Sequence, residues 1–199
     1  MTWILTFTGK RFDLFEPTPD MICPHDIAQA LGTIARFNGH TRDHYTVAQH
    51  SVLVSRLVPK EYELVALLHD ATEAYIGDMV RPLKQCMPAF CEVEERIWSA
   101  ICQRFELAEE LPECVKHADL VALATERRDL MPAHPASWEC LEGIEPLEAR
   151  IDLWTPHVAR WHFHQRLQGL LIERLRGQAP MLHVSPDCKG FTTPLKGDA

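Results

Sequence analysis

Between residues 24 and 175 the apolar residues of this chain recur at three- and four-residue intervals, so helix is the regular structure most of it can form. Val93, Ile97, Ile101 and Phe105 show the pattern along a predicted helix from about Ala89 to Phe105. Another starts near Pro112, a favourable first helical residue, and runs to about Met131. After a proline-rich loop over 132–146, Thr155-Pro156 opens a last long helix to about Leu175. Residues 1–22 mix β-branched and aromatic side chains with Gly9, Pro17 and Pro19, and read as a short hairpin or extended arm. Pro180, Pro186, Gly190, Pro194 and Gly197 make 178–199 an irregular tail. The expected class is all-α: one domain over 1–199, a helical bundle with an N-terminal extended segment.

Three further helices are predicted ahead of these. Pro24-His25-Asp26 looks like an entry, with Asp26 or His25 near the N-cap, and Ile27, Leu31, Ile34 and Phe37 as a buried stripe ended by Asn38-Gly39. Thr46 can cap the next, which carries His50 in its first turns and stops before Pro59. The third runs from about Glu61 to Ile76, with Gly77 as its stop. Two helices joined by so short a turn lie antiparallel. His50 is then roughly 10 Å before the turn and His69 roughly 12 Å after it, at ~1.5 Å per residue, so the two imidazoles come level across the hairpin.

That pairing matters because of what surrounds it. The stretch Leu67-Leu68-His69-Asp70-Ala71-Thr72-Glu73-Ala74-Tyr75-Ile76-Gly77-Asp78 sets His69 beside Asp70 and adds two carboxylates further on. Asp119 interrupts the otherwise apolar Asp119-Leu120-Val121-Ala122-Leu123 segment of a later helix. A lone helical His or Asp is ordinarily packed or solvated. Taken together, His50, His69, Asp70 and Asp119 offer two imidazoles and two carboxylates, a donor set suited to Mn²⁺, Fe²⁺, Co²⁺ or Mg²⁺. All four fall inside predicted helices, where an unpaired carboxylate is costly to bury and a cation cancels the cost.

Composition narrows the rest. A formal net charge of −8 excludes a broad nucleic-acid footprint but not a small phosphorylated substrate. The seven cysteines are scattered with no C-x-x-C pair, which argues for incidental or buried thiols rather than a zinc ribbon or redox site. No segment approaches the roughly 18 consecutive apolar residues of a membrane span, so a cytoplasmic protein with no membrane partner is expected. Apolar helix faces suggest a homodimer.

The order H…HD…D on successive helices resembles the HD-domain metal-dependent phosphohydrolases, and within them the 5′-deoxynucleotidase subgroup. The likeness lies in Ala48-Gln49-His50-Ser51, in the segment from His69 to Asp78 with Pro82-Leu83-Lys84, and in Lys116-His117-Ala118-Asp119. The resemblance implies an HD-domain bundle holding one divalent ion through His50, His69, Asp70 and Asp119. It implies removal of the 5′-phosphate from (deoxy)nucleoside monophosphates by a metal-activated water. Glu73 becomes the candidate general acid/base and Asp78 its partner or a substrate contact. Arg36 would contact phosphate and Phe37 the sugar, as an Arg-aromatic pair does in the subgroup, although here the spacing to His50 is one residue off. Lys84 is the second phosphate candidate, ahead of Arg42 and Arg81. Alternatives are a (deoxy)nucleoside triphosphohydrolase of the same fold, or a catalytically silent module that senses nucleotide.

Overall fold

A computed structural model of the chain describes residues 1–177, so the expected tail over 178–199 lies outside the described residues. The protein is mostly helical, with one two-stranded antiparallel hairpin at its N-terminus. Strands β1 (Trp3–Leu5) and β2 (Arg11–Asp13) pair with Ile4 opposite Phe12. Phe12 is fully buried and stacks on Tyr75 at 3.8 Å between centroids, so the hairpin closes one side of the core.

The helices are α1 (Pro24–Leu31), α2 (Val47–Arg56), α3 (Glu63–Leu68), α4 (Glu73–Ile76), α5 (Arg81–Lys84), α6 (Pro88–Phe105), α7 (Glu113–Leu130) and α8 (Pro156–Leu175). Helix α2 is central, packing on α3, α7 and α8. Residues 47–52 of it are all buried. Thr46 caps it by accepting the Gln49 amide at 3.1 Å, satisfying one orphan donor of the first turn. The Gln49 side chain reaches the other way: it donates to the Asp152 carbonyl and accepts from the Trp154 amide, fastening the entry of α8 to α2. The main core joins Phe12, Ile27, Leu31, Val52, Leu67, Leu68, Ile97, Ile101, Phe163 and Leu167, while Val54, Val65, Ala66, Val115 and Ala122 form a second cluster where α7 meets α2 and α3. Among the described residues no helix is long and apolar enough to cross a membrane. None of the described cysteines is in a disulfide, and Cys102 alone of them is fully buried.

Two predicted helices prove shorter than expected. Helix α1 ends at Leu31, because Ala35 leaves the helical region to form a bridge with Thr46. Arg36 N–H donates to the Tyr45 carbonyl and Val47 N–H to that of Ile34. These cross-links pull residues 34–36 out of α1, so Ile34 packs on the core from outside the helix and Phe37 sits in a separate 3-10 turn over Arg36–Gly39. Asp26 is no cap either: Cys23 is the N-cap, and the buried Asp26 carboxylate accepts from the Thr8 amide and hydroxyl at 2.7 and 2.8 Å, tying the N-terminal hairpin to α1.

The helix expected over Glu61–Ile76 breaks at His69–Thr72. The His69 ring takes the Ala66 carbonyl, at 2.8 Å, that a continuing helix would offer to the backbone. The next bonds are tightened to i→i+3, from Ala71 to Leu68, Glu73 to Asp70 and Ala74 to Ala71. His69 and Asp70 therefore leave the end of α3 rather than sitting in a helix interior.

Gly32 marks the closest approach of α1 to α8: a Cβ there would lie 2.6 Å from the Arg160 Cβ. Gly32→Ala is expected to cost about 1–3 kcal/mol through overpacking. The measurement is a lowered urea midpoint at unchanged m-value.

Candidate functional site

Level crossing of the α2–α3 hairpin brings His50 and His69 together, with Nε2 to Nε2 at 3.3 Å. Around that point lie Asp119 Oδ1, at 3.1 Å from His50 Nε2 and 3.9 Å from His69 Nε2, and Asp70 Oδ2, at 3.4 and 3.3 Å. His50 is buried; His69, Asp70 and Asp119 are partly so. His50, His69 and Asp119 can hold a metal ion, their ligand atoms all lying within 4.8 Å of one another.

The other ring nitrogens decide what the facing ones must be. His69 Nδ1 meets a backbone carbonyl, which only accepts, so that nitrogen carries the hydrogen. His50 Nδ1 lies 2.6 Å from Glu126 Oε1, a carboxylate, and carries a hydrogen for the same reason. In the neutral rings both Nε2 atoms are then lone pairs aimed at one another and at two carboxylates. Such an arrangement asks for a cation or a proton at its centre. The donor set and its tautomers thus fit a metal. Without one, His50 carries the proton: burial and Arg36 act against it, but Glu126 and Asp119 prevail and push its pKa up to about 9. Asp119 is held far below the usual carboxylate range, since its contacts with His50, His69 and Arg36 overcome its burial.

Glu126 was not singled out from the sequence. It is fully buried, seven residues after Asp119 and so two turns on along the same face of α7. That i, i+7 spacing was the available signal. Its second oxygen lies 3.3 Å from Arg36 NH2, while Arg36 NH1 lies 3.3 Å from Asp70 Oδ2. The Arg36 guanidinium therefore bridges the carboxylate behind His50 and the one beside His69. Burial alone would lower its pKa; Glu126 and Asp70 raise it, so the charge is kept. Its Nε has no partner.

A cavity of about 820 Å³ opens beside this cluster, with Arg36, Asp78 and Asp119 at its charged side. Gly77, at φ 80°, ends α4 in a conformation that favours glycine and turns Asp78 into the cavity wall. The Asp78 pKa is raised by burial, against the pull of Arg36. Glu73 has a buried Oε2 without a partner. Burial, followed by the charges of Asp70 and Asp78, lifts its pKa well above the ordinary carboxylate value. Phe37 lines the same cavity, from a left-handed backbone (φ 54°, ψ 32°). Lys84 is also a wall residue, but its ammonium is paired with Glu94. Arg81, ranked behind it from the sequence, lines the cavity and makes no ion pair among the described residues. His40, His44 and His117 are exposed.

An all-α protein with a His/His/Asp cluster able to hold a metal beside a cavity of about 820 Å³ is the class these observations define. No family model matches the chain. It is 46% identical over 148 residues to the uncharacterized protein YfdR of Escherichia coli (strain K12), covering 74% of this chain and 83% of that protein. It is 39% identical over 126 residues to an uncharacterized protein of Rhodobacter capsulatus, covering 58% of this chain and 64% of the relative. The chain belongs to the YfdR family.

Two measurements probe the cluster. Because His50 must give up its proton, metal affinity should rise with pH by about tenfold per unit until about pH 9 and then level off, as titration calorimetry with Mn²⁺ at several pH values will show. Glu126→Gln removes the charge behind His50 and should weaken that affinity by about 10- to 100-fold and flatten its pH dependence.

Proposed function

We propose that this protein is a divalent-metal-dependent phosphohydrolase of the HD type, which removes the 5′-phosphate from (deoxy)nucleoside monophosphates. The observation that carries the reading is the convergence of two imidazole lone pairs and two carboxylates beside a cavity of about 820 Å³ that Asp119 and Arg36 line. His50, His69, Asp70 and Asp119 would hold the ion, one of Mn²⁺, Co²⁺, Fe²⁺ or Mg²⁺. When bound there, such an ion supplies Lewis-acid polarisation of a phosphoryl oxygen and makes water a nucleophile near neutral pH.

The chain's own groups supply the rest. Arg36, fixed between Asp70 and Glu126, presents a permanent positive charge to the cavity and orients the phosphate. Glu73, whose pKa is raised by burial and whose Oε2 has no hydrogen-bond partner among the described residues, can give a proton to the leaving 5′-oxygen. Asp78 helps keep that proton in place by its negative charge. A monophosphate is favoured over a triphosphate because Arg36 and Arg81 are the cavity's cations once Lys84 is committed to Glu94.

The test is phosphate release by the purified chain with Mn²⁺ or Co²⁺. Inorganic phosphate from 2′-deoxyadenosine 5′-monophosphate is expected, with no triphosphate from the corresponding triphosphate. Asp119→Ala should lose bound ion and turnover together. Glu73→Gln should retain the ion and lower kcat by about 100- to 10,000-fold, the usual range for a general acid. Wild-type protein that takes up no ion ends the proposal.

A further inference from the structure

We propose that Trp138 and Phe37, which both line the cavity, form a stacking subsite for the planar heteroaromatic base of a nucleotide; this rests on the phosphohydrolase reading of the charged residues. The cavity has lining of two kinds: charged residues, Arg36, Asp78 and Asp119 among them, and apolar ones, Phe37, Leu123 and Trp138. A phosphate group alone would fill little of some 820 Å³, whereas a sugar and base attached to it would extend along the apolar wall.

Phe37 is held where it is at some expense, and Trp138 by the groups around it. Phe37 and Asn38 have φ of 54° and 50°, a region that bulky residues avoid. Strain of this kind persists where surrounding structure over-determines it, and it clusters at ligand sites. Here the bridge of Ala35 to Thr46 and the Arg36 ion pairs fix one end of the segment. Trp138 lies in the loop after α7, where residues 132–137 are exposed, yet its own ring is half-buried. Arg127, which is not a cavity residue, lies over the indole at 5.1 Å from the centroid and donates to the Ala136 carbonyl at 2.6 Å. The loop is thereby anchored and the ring oriented.

The two centroids are 6.2 Å apart and the planes are inclined by 43°. A base sandwiched between them would need about 7–8 Å, two van der Waals separations. The rings therefore make a corner: a base lies flat on one and meets the other with its edge. Recognition by stacking tolerates any base, because every base has a π-face. The subsite should reject a sugar phosphate without a base far more strongly than it separates one base from another.

The experiment measures equilibrium binding to the full-length, Mn²⁺-loaded chain carrying Glu73→Gln, so that turnover does not consume the ligand. The two probes are 2′-deoxyadenosine 5′-monophosphate and 2-deoxyribose 5-phosphate. The nucleotide should bind more tightly by about 5- to 150-fold, the usual effect of one stacked base. Trp138→Ala should bring the two affinities together by weakening the nucleotide alone, and Trp138→Phe should keep most of the difference. Equal affinities before Trp138 is changed, no binding of either probe, or equal weakening of both by Trp138→Ala overturns the proposal. Base-dependent binding without phosphate release by the chain with Glu73 intact would instead sustain this subsite and end the phosphohydrolase reading.

Discussion

Two imidazole nitrogens 3.3 Å apart, each with its opposite nitrogen tied to an acceptor, are the constraint on which the rest of the site depends. Neither ring can turn its hydrogen inward without abandoning a buried carboxylate or a backbone carbonyl. The centre is therefore defined by lone pairs and carboxylate oxygens, a pattern that is repulsive until a positive charge enters it. In the metal-free protein that charge is the proton on His50. A divalent ion would displace the proton and add a further unit of charge, which is why the cluster favours the ion over the proton as pH rises.

The cluster is secured by groups that stand behind its donor atoms and pair with them and with one another. Glu126 is fully buried, and so large a cost is offset only because His50 and Arg36 both face it. Breaking a buried ion pair from one side costs about 3–5 kcal/mol, since the remaining charge stays behind without a partner. Tyr45, buried beside the same carboxylate, has its phenol pKa raised by burial first and by the Glu126 charge next, so it stays neutral and adds no further charge to the group. Arg36 then joins two carboxylates on different elements, Asp70 after α3 and Glu126 on α7. One guanidinium thus fixes the relative placement of the hairpin and the later helix.

Much of this was legible in the sequence, for physical reasons that differ by element. Helices α6, α7 and α8 follow from apolar periodicity and from prolines at their starts, because burial of one face decides their extent. The meeting of His50 and His69 follows from helix rise and a short turn. What failed were boundaries set by distant partners. The Ala35–Thr46 bridge shortens α1, and the His69 side chain ends α3, and neither competitor appears in a local window. The Asp26 capping assignment failed because Thr8, eighteen residues upstream, claims the carboxylate. Lys84 looked available for phosphate because nothing in the linear pattern reveals its partner Glu94. Trp138 gave no signal, since a loop has no period from which to infer a facing direction.

Helix α7 shows how a single periodic element can serve both the charged and the apolar lining of the cavity. Asp119 points to the imidazole cluster, and Leu123, one turn on, lines the apolar wall. Glu126, a turn further, lies behind His50, and Arg127 next to it holds the indole of Trp138. Four residues within nine positions therefore set a carboxylate at the cluster, a hydrophobic surface, the acceptor that selects the His50 tautomer and the support of an aromatic ring. Their spacing is fixed by backbone hydrogen bonds that no side chain can alter, at about 1.5 Å of rise per residue.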